Sequence, residues 1–222
     1  MTITYQQGLL ASAIAVLAWL GAYALMIRRG FKDRSFGMPI VTLCLNVVWE
    51  GWYGFVSDMP LGQRLPNIIW FGFDLGVLYT CLKFGAEDFK DWPLLHQWFK
   101  PVVWSLIPIA ILLHWGVITA LKDSHGAYSA SLNTLGYSFL LIAMLLRRNC
   151  VRGQSLYIAL CVLIGDSAGF WVMLFVTQYL QPGVRPEFIF GLYPVIVLLN
   201  VVYVALYIHV AIRDGINPFT RL

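Results

Sequence analysis

The sequence predicts an all-α, polytopic membrane protein: one domain, residues 1–222, forming a bundle of seven transmembrane helices. Three observations carry that prediction. First, 59% of the 222 residues are apolar and only 12% are charged, against about 25% charged in a soluble domain. A soluble fold of this size lacks the polar side chains to cover itself. Second, the chain contains seven apolar runs long enough to cross a bilayer, which takes about 20 residues. Third, Lys and Arg collect in the connections on one side of those runs. A soluble globular enzyme and a nucleic-acid binder are thereby excluded. So is a disordered chain, which would be poor in aromatics; here 15% of residues are aromatic.

In order, the runs cover roughly residues 8–27, 37–56, 66–84, 101–121, 127–146, 154–178 and 188–212. They are apolar around their whole circumference, unlike a surface helix. The ten-residue alternation of a barrel strand is absent. The first run lacks the basic region and cleavage site of a signal peptide and is expected to stay as a helix. Pro39, Pro66 and Pro101 are expected to open helices, where a missing N–H costs nothing. Pro108 and Pro194 fall inside helices and are expected to kink them. The 83–100 connection is the longest, and its Trp92, Trp98 and Phe99 with flanking lysines suggest a segment lying along the headgroups. The four cysteines, Cys44, Cys81, Cys150 and Cys161, read as small hydrophobes rather than a disulfide framework. Twelve basic residues fall on the side of Arg28 and Arg148 and three, Arg64, Lys122 and Arg185, on the other. That asymmetry places the N-terminus outside and the C-terminus in the cytoplasm.

Of 11 acidic residues, only Glu50, Asp74 and Asp166 fall inside the runs, in the second, third and sixth spans. All three sit roughly 9–18 Å below the outer end of their spans. Each costs at least about 2.5 kcal/mol to place in hydrocarbon, and no Lys or Arg lies deep enough to neutralise them. A single buried acid reads as a protonated group hydrogen-bonded to a neighbouring helix; three at one depth read as candidate catalytic groups. Asn46 lies one turn from Glu50, and Asn200 and Tyr137 fall near the same layer. His114, nearer the outer surface, reads as an interhelical contact. Aromatics flank the acids: Trp49, Trp52 and Tyr53, then Trp70, Phe71 and Phe73, then Phe170 and Trp171, with Tyr193 opening the last span. The plain reading is an interfacial belt of Trp and Tyr. The functional reading is a ring-lined pocket whose π faces stabilise a cation. Asn46, Trp49, Tyr53, Trp70, Tyr137, Phe170, Trp171, Tyr193 and Asn200 are the candidate substrate contacts.

Carboxyls buried together among aromatics keep a proton, and neighbouring acids push their proton affinities apart. One can donate while another stays ionised and orients it. A pocket of this kind admits an isoprenoid chain. Protonating its terminal alkene or epoxide makes a carbocation that the next double bond attacks, closing rings. Such chemistry requires neither metal nor cofactor, and none is expected. The diphosphate-ionising alternative uses Asp-rich Mg²⁺ motifs, and no acidic pair lies three or four residues apart inside a run. The expected partners are a hydrophobic prenylated small molecule and membrane lipid, with no nucleic acid; oligomeric state is open.

The motifs point to a family. Asn46-Val47-Val48-Trp49-Glu50 with Tyr53-Gly54, Trp70 to Asp74 continuing through Gly76, Tyr79-Thr80 and Phe84-Gly85, and Arg152-Gly153-Gln154-Ser155 resemble the small seven-helix membrane terpene cyclases. That group comprises fungal meroterpenoid and indole-diterpene cyclases and bacterial drimentine-type cyclases of prenylated indole alkaloids. The resemblance implies a functional Glu at Glu50, and substrates such as farnesylated indoles or cyclodipeptides. Asn200 with Tyr203 is similar to the seventh-span site, where the fungal enzymes carry a second functional Asp. An Asn cannot donate the proton, so Asp166, at the same depth, is the expected replacement. A hydrogen-bonded Asp166–Asp74 or Asp166–Glu50 pair is expected to supply the stronger acid that a plain alkene needs. The departure at Asn200 also points to a bacterial cytoplasmic membrane, the endoplasmic reticulum being the eukaryotic counterpart.

The alternative function is a proton- or cation-coupled transporter that uses the same carboxylates. It predicts matched halves or broken helices; no repeat is visible, and only Pro108 and Pro194 hint at breaks. A retinal photoreceptor needs a Lys deep in the last span, which has none. A scaffold protein leaves the three acids unexplained.

Overall fold

The computed structural model describes residues 2–222. Eight α-helices account for most of them, and there is no strand among the described residues. Helix α1 (Tyr5–Asp33) opens on a capping box, in which Thr4 and Gln7 satisfy each other's backbone N–H groups. Helix α2 (Ile40–Gly51) starts after Pro39 and runs into a π-helical turn, Trp52–Val56. Then come α3 (Leu61–Phe84), the short α4 (Pro93–Gln97), α5 (Phe99–Leu121) and α6 (Ala127–Arg148). Helix α7 (Leu156–Phe175) also ends in a π-helical turn, Val176–Leu180, and α8 (Pro186–Arg213) closes the bundle.

Six of these segments are long and apolar enough to cross a membrane: α1, α3, α5, α6, α7 and α8. The Ile40–Val56 segment is apolar but shorter. The protein is an integral membrane protein on this composition. Leu17, Leu112 and Leu198 point outward and exposed from their helices, as side chains in contact with acyl chains do.

Small residues set the packing. The most extensive contact is between α1 and α7. A Cβ on Gly8 of α1 would lie 2.1 Å from the Phe175 ring, so only glycine lets the helices approach there. Helix α8 packs against both α6 and α7, α3 bridges α1 and α2, and α5 leans on α2. One apolar core, including Met26, Leu43, Leu141 and Val162, fills the basic half of the bundle; a second, around Leu174, Ile189 and Ile196, fills the other half.

The basic end is pinned by two carboxylates that are largely shielded from solvent. Asp88 accepts the Arg148 Nε–H at 2.7 Å and forms an ion pair with Arg152 at 3.3 Å. Asp33 accepts from Arg221 at 2.5 Å, from the Gly153 N–H at 2.8 Å and from Arg29. Together they tie the ends of α1 and α6 to the entry of α7.

Two local expectations are corrected. Pro66 lies inside α3, which follows Pro60 and starts at Leu61, five residues before the expected opening; one lost N–H in the helix's second turn is tolerated. Phe99 is not an interfacial anchor: it is buried, with its ring 5.5 Å from Phe89. Trp92 and Trp98 beside it are exposed, as an interfacial segment requires.

The Asp88 cluster makes a direct stability prediction. Asp88→Asn leaves the Arg148 guanidinium, 4% exposed, without its counter-ion, a loss of about 3 kcal/mol or more. Thermal unfolding in detergent should show a large fall in midpoint for Asp88→Asn and almost none for the exposed Asp91→Asn.

Candidate active site

Asn46, Trp49 and Glu50 occupy one face of α2, because residues three and four apart on a helix are neighbours. That face forms one wall of an internal cavity of about 140 Å³. Glu50 and Asp166 both line it, from α2 and α7. Trp19 and Tyr23 of α1, Trp70 of α3, Asn133 and Tyr137 of α6, and Tyr193 of α8 complete most of the wall. Two acids far apart in the chain therefore open on one space.

A hydrogen-bond chain crosses three helices to reach Glu50. Asn133 donates to the Asn46 carbonyl oxygen, Asn46 Nδ2 donates to the Tyr23 hydroxyl at 3.1 Å, and Tyr23 donates to Glu50 Oε1 at 2.9 Å. Asp74 sits behind this wall, fully buried, against the Glu50 carboxyl and the Tyr23 hydroxyl. Neither Asp74 oxygen nor Glu50 Oε2 receives an ordinary donor.

Asp166 has different company. Asn200 Nδ2 donates to its Oδ2 at 2.7 Å, and the Trp19 indole lies against it. A Cβ on Gly165 would fall 2.9 Å from Trp19 Nε1, so the glycine is what admits the indole to this position. The expected Asp166–Asp74 or Asp166–Glu50 pair is not formed. The carboxyl pair is Glu50–Asp74, because α2 packs directly on α3, while Asp166 is turned towards α8.

Trp49 is held by a second relay. Its indole N–H donates to Ser129 Oγ at 2.9 Å, and Ser129 Oγ donates to Asp123 Oδ2 at 2.7 Å. Asp123 also accepts the backbone N–H groups of Tyr128 and Ser129, where the positive end of the α6 dipole favours a carboxylate.

Of the expected substrate contacts, Asn46, Trp49, Trp70, Tyr137 and Tyr193 line the cavity. Four do not. Tyr53 is buried, and its hydroxyl donates to the Asp123 carbonyl at 2.5 Å. Asn200 holds Asp166 from behind. Phe170 packs behind Tyr193, and Trp171 is 39% exposed on the outer face. His114 bonds within its own helix, to the Ala110 carbonyl, rather than across helices. Trp19, Tyr23, Asn133, Ser129 and Asp123 were not singled out by sequence. The available signal was the i, i+4 spacing of Trp19 and Tyr23 deep in an apolar run.

A second cavity, of about 490 Å³, adjoins the first and shares Ala15, Trp49, Trp70, Val172 and Met173 with it. It lies towards the end of the bundle opposite Asp33 and Asp88, where Tyr5, Pro60, His125 and Leu180 line it. Among the described residues, no group of three or more His, Cys, Asp or Glu converges as metal ligands do.

An aromatic-walled chamber with buried acids, inside a helical membrane bundle, agrees with the family to which the motifs pointed. A family profile described as Pyr4-like transmembrane terpene cyclases matches residues 4–213, and the chain belongs to that family. It is 32% identical over 165 residues to the Pyr4-family terpene cyclase mfmH of Annulohypoxylon moriforme, covering 73% of this chain and 67% of that protein. It is 30% identical over 148 residues to the terpene cyclase macJ of Penicillium terrestre, covering 65% and 57%. Against the terpene cyclase pyr4 of Aspergillus fumigatus it is 30% identical over 159 residues, covering 69% and 64%. The last two matches span less than two thirds of those relatives' length. These relatives are fungal and lend no support to the bacterial setting. No solved structure matches the chain at a significant level.

The Gly165–Trp19 contact can be tested without any substrate. Gly165→Ala forces the indole away from Asp166 and should cost about 1–3 kcal/mol of stability by overpacking. A Gly165→Ala, Trp19→Phe double variant, read by thermal unfolding, should recover most of that loss.

Proposed function

We propose that this protein is a protonation-initiated, metal-independent terpene cyclase acting on a prenylated small molecule. A farnesylated indole or cyclodipeptide is the substrate class we favour. The observation that carries the reading is that Glu50 and Asp166 open on one aromatic-walled cavity while Asp74 backs Glu50.

Two carboxyls in contact cannot both ionise without strong repulsion. With no counter-charge beside them both carboxyls keep a proton, and the loss of one leaves the other to bridge the pair and supply the hydrogen bond their oxygens otherwise lack. Glu50, the member facing the cavity, passes its proton to a carbon of the terminal alkene, or to the oxygen of a terminal epoxide as its C–O bond breaks, and the Asp74 proton then stabilises the Glu50 carboxylate left behind. Tyr23 fixes the Glu50 rotamer through its bond to Oε1. The cation formed is attacked by successive double bonds. Trp19, Trp49, Trp70, Tyr137 and Tyr193 offer π faces to it and exclude water. Asp166, held by the Asn200 amide as an acceptor, takes the proton released when the last cation becomes an alkene. One proton enters and one leaves, so the net reaction is an isomerisation.

In this reading Ile40–Val56 is the seventh span. The N-terminus lies outside, the C-terminus lies in the cytoplasm, and the cavities face the outer leaflet. The relatives' printed names, all terpene cyclases, support the activity.

The test is turnover in membranes fed farnesylated indoles, with product scored as a species of unchanged mass and new retention time. Glu50→Gln and Asp166→Asn should each lower turnover by at least about 100-fold, the usual contribution of a positioned acid or base. Full turnover by Asp166→Asn would contradict its role. Prior incubation with EDTA should leave wild-type turnover unchanged; a loss restored by Mg²⁺ would overturn metal independence.

A further inference from the structure

The inner cavity and the reaction do not match in size. About 140 Å³ is close to the roughly 150 Å³ of an engineered apolar cavity that binds benzene. It has room for the reacting end of a prenyl chain and not for a whole prenylated molecule. The remainder of the substrate must occupy the adjoining cavity of about 490 Å³.

That second cavity has a polar wall that nothing in the protein uses. Gln63, Asn67 and Trp70 follow one another at i, i+4 and i+7, which places them on one face of α3. All three line the outer cavity, and Trp70 also lines the inner one. Gln63 Oε1 and Trp70 Nε1 are buried without a hydrogen-bond partner, and Asn67 is buried between them. An unmet buried polar atom costs about 1–3 kcal/mol, so two of them on one cavity wall point to a ligand that supplies the partners. Arg64, in the same turn, points elsewhere and donates to the Gly54 carbonyl at 2.9 Å.

The rest of the lining narrows the ligand. It contains no Asp, Glu, Lys or Arg. Burial pushes the His125 imidazole down from its ordinary value, favouring its neutral form. A diphosphate or a charged amine finds no counter-charge there. Trp49, Met59, Met173 and Phe175 offer flat, polarisable surface. From Gln63 to Trp70 the stripe runs about 10 Å along the helix axis, the length of a fused ring system rather than a single ring.

We propose that the outer cavity is the subsite for the substrate's non-prenyl head, a neutral, flat, fused-ring group. Gln63 accepts from an N–H or O–H of that head, and the Trp70 indole N–H donates to an acceptor nearer the chain. The α3 stripe thereby sets head-group specificity and holds the chain end against Glu50. This rests on the cyclase reading for the chain that fills the inner cavity.

The experiment uses the full-length protein in detergent with two probes, 3-farnesylindole and its N-methyl derivative, which differ by one donor. Affinity is measured by titration calorimetry, and turnover on the same probes is measured separately. Gln63→Leu should weaken binding of 3-farnesylindole by about tenfold, the worth of one hydrogen bond in a buried site. It should leave the N-methyl probe within about twofold. Gln63→Met, which keeps the length of the side chain without an acceptor, should behave the same way and guards against a folding defect. Where turnover is measurable, the effect should fall on KM and not on kcat. Equal loss for both probes, or no loss for either, overturns the head-group assignment. Selective binding loss without any cyclised product in the wild type would leave the subsite standing and sink the cyclase reading instead.

Discussion

The contact between the Glu50 and Asp74 carboxyls is the constraint around which the rest of this bundle is arranged. Two acids meet inside an apolar protein, and no Lys or Arg lines the cavity beside them to neutralise their charge. Such a contact persists only where packing leaves no alternative. Here α2 lies on α3, α1 closes over both, and Tyr23 donates from α1 into the pair. The Asn133–Asn46–Tyr23 chain then ties α6 into the same arrangement. The helix order around the site thus follows from the hydrogen bonds that make its acids tolerable.

The molecule is divided along its long axis. One end is ionic, with Asp33 and Asp88 gathering arginines from several segments. The other end holds the two cavities and both π-helical turns. Such turns often mark functional sites, because the extra residue widens the helix and re-aims its side chains. The turn after α7 puts Val176 and Leu180 on the outer cavity's wall. Buried polar atoms without partners occur in both halves, from Arg29 and Gln154 at the ionic end to Glu50, Asp74 and Trp70 around the cavities.

The spans were legible in the sequence because hydrocarbon imposes a length and an all-round apolar surface, and both show in composition. The expected boundaries agree with the helices to within a few residues, apart from the end of α1, which continues six residues past the expected 27 to Asp33, and the start of α3, which follows Pro60 rather than opening at Pro66. The acids stood out for a related reason: a carboxyl in an apolar run is costly, so Glu50, Asp74 and Asp166 were conspicuous. What composition does not encode is direction. Depth along a helix placed all three acids in one layer, but only rotation about each helix decides that Asp74 meets Glu50 and Asp166 meets Asn200. Tyr53, Phe170 and Trp171 were over-read for that same reason. Tyr23, Trp19 and the Ser129–Asp123 support of Trp49 stayed hidden, because aromatic and hydroxyl residues are ordinary in spans and loops until a partner across the bundle is known.

The central claim is that Glu50 and Asp74 act as one proton-holding unit. A double-mutant cycle on turnover, with Glu50→Gln, Asp74→Asn and the combination, tests it most directly, using an assay that follows residual product over several orders of magnitude. Groups that act together are strongly non-additive. The combined variant should therefore be no slower than the slower single variant, within about threefold. Losses that multiply would show two independent groups and contradict the shared proton.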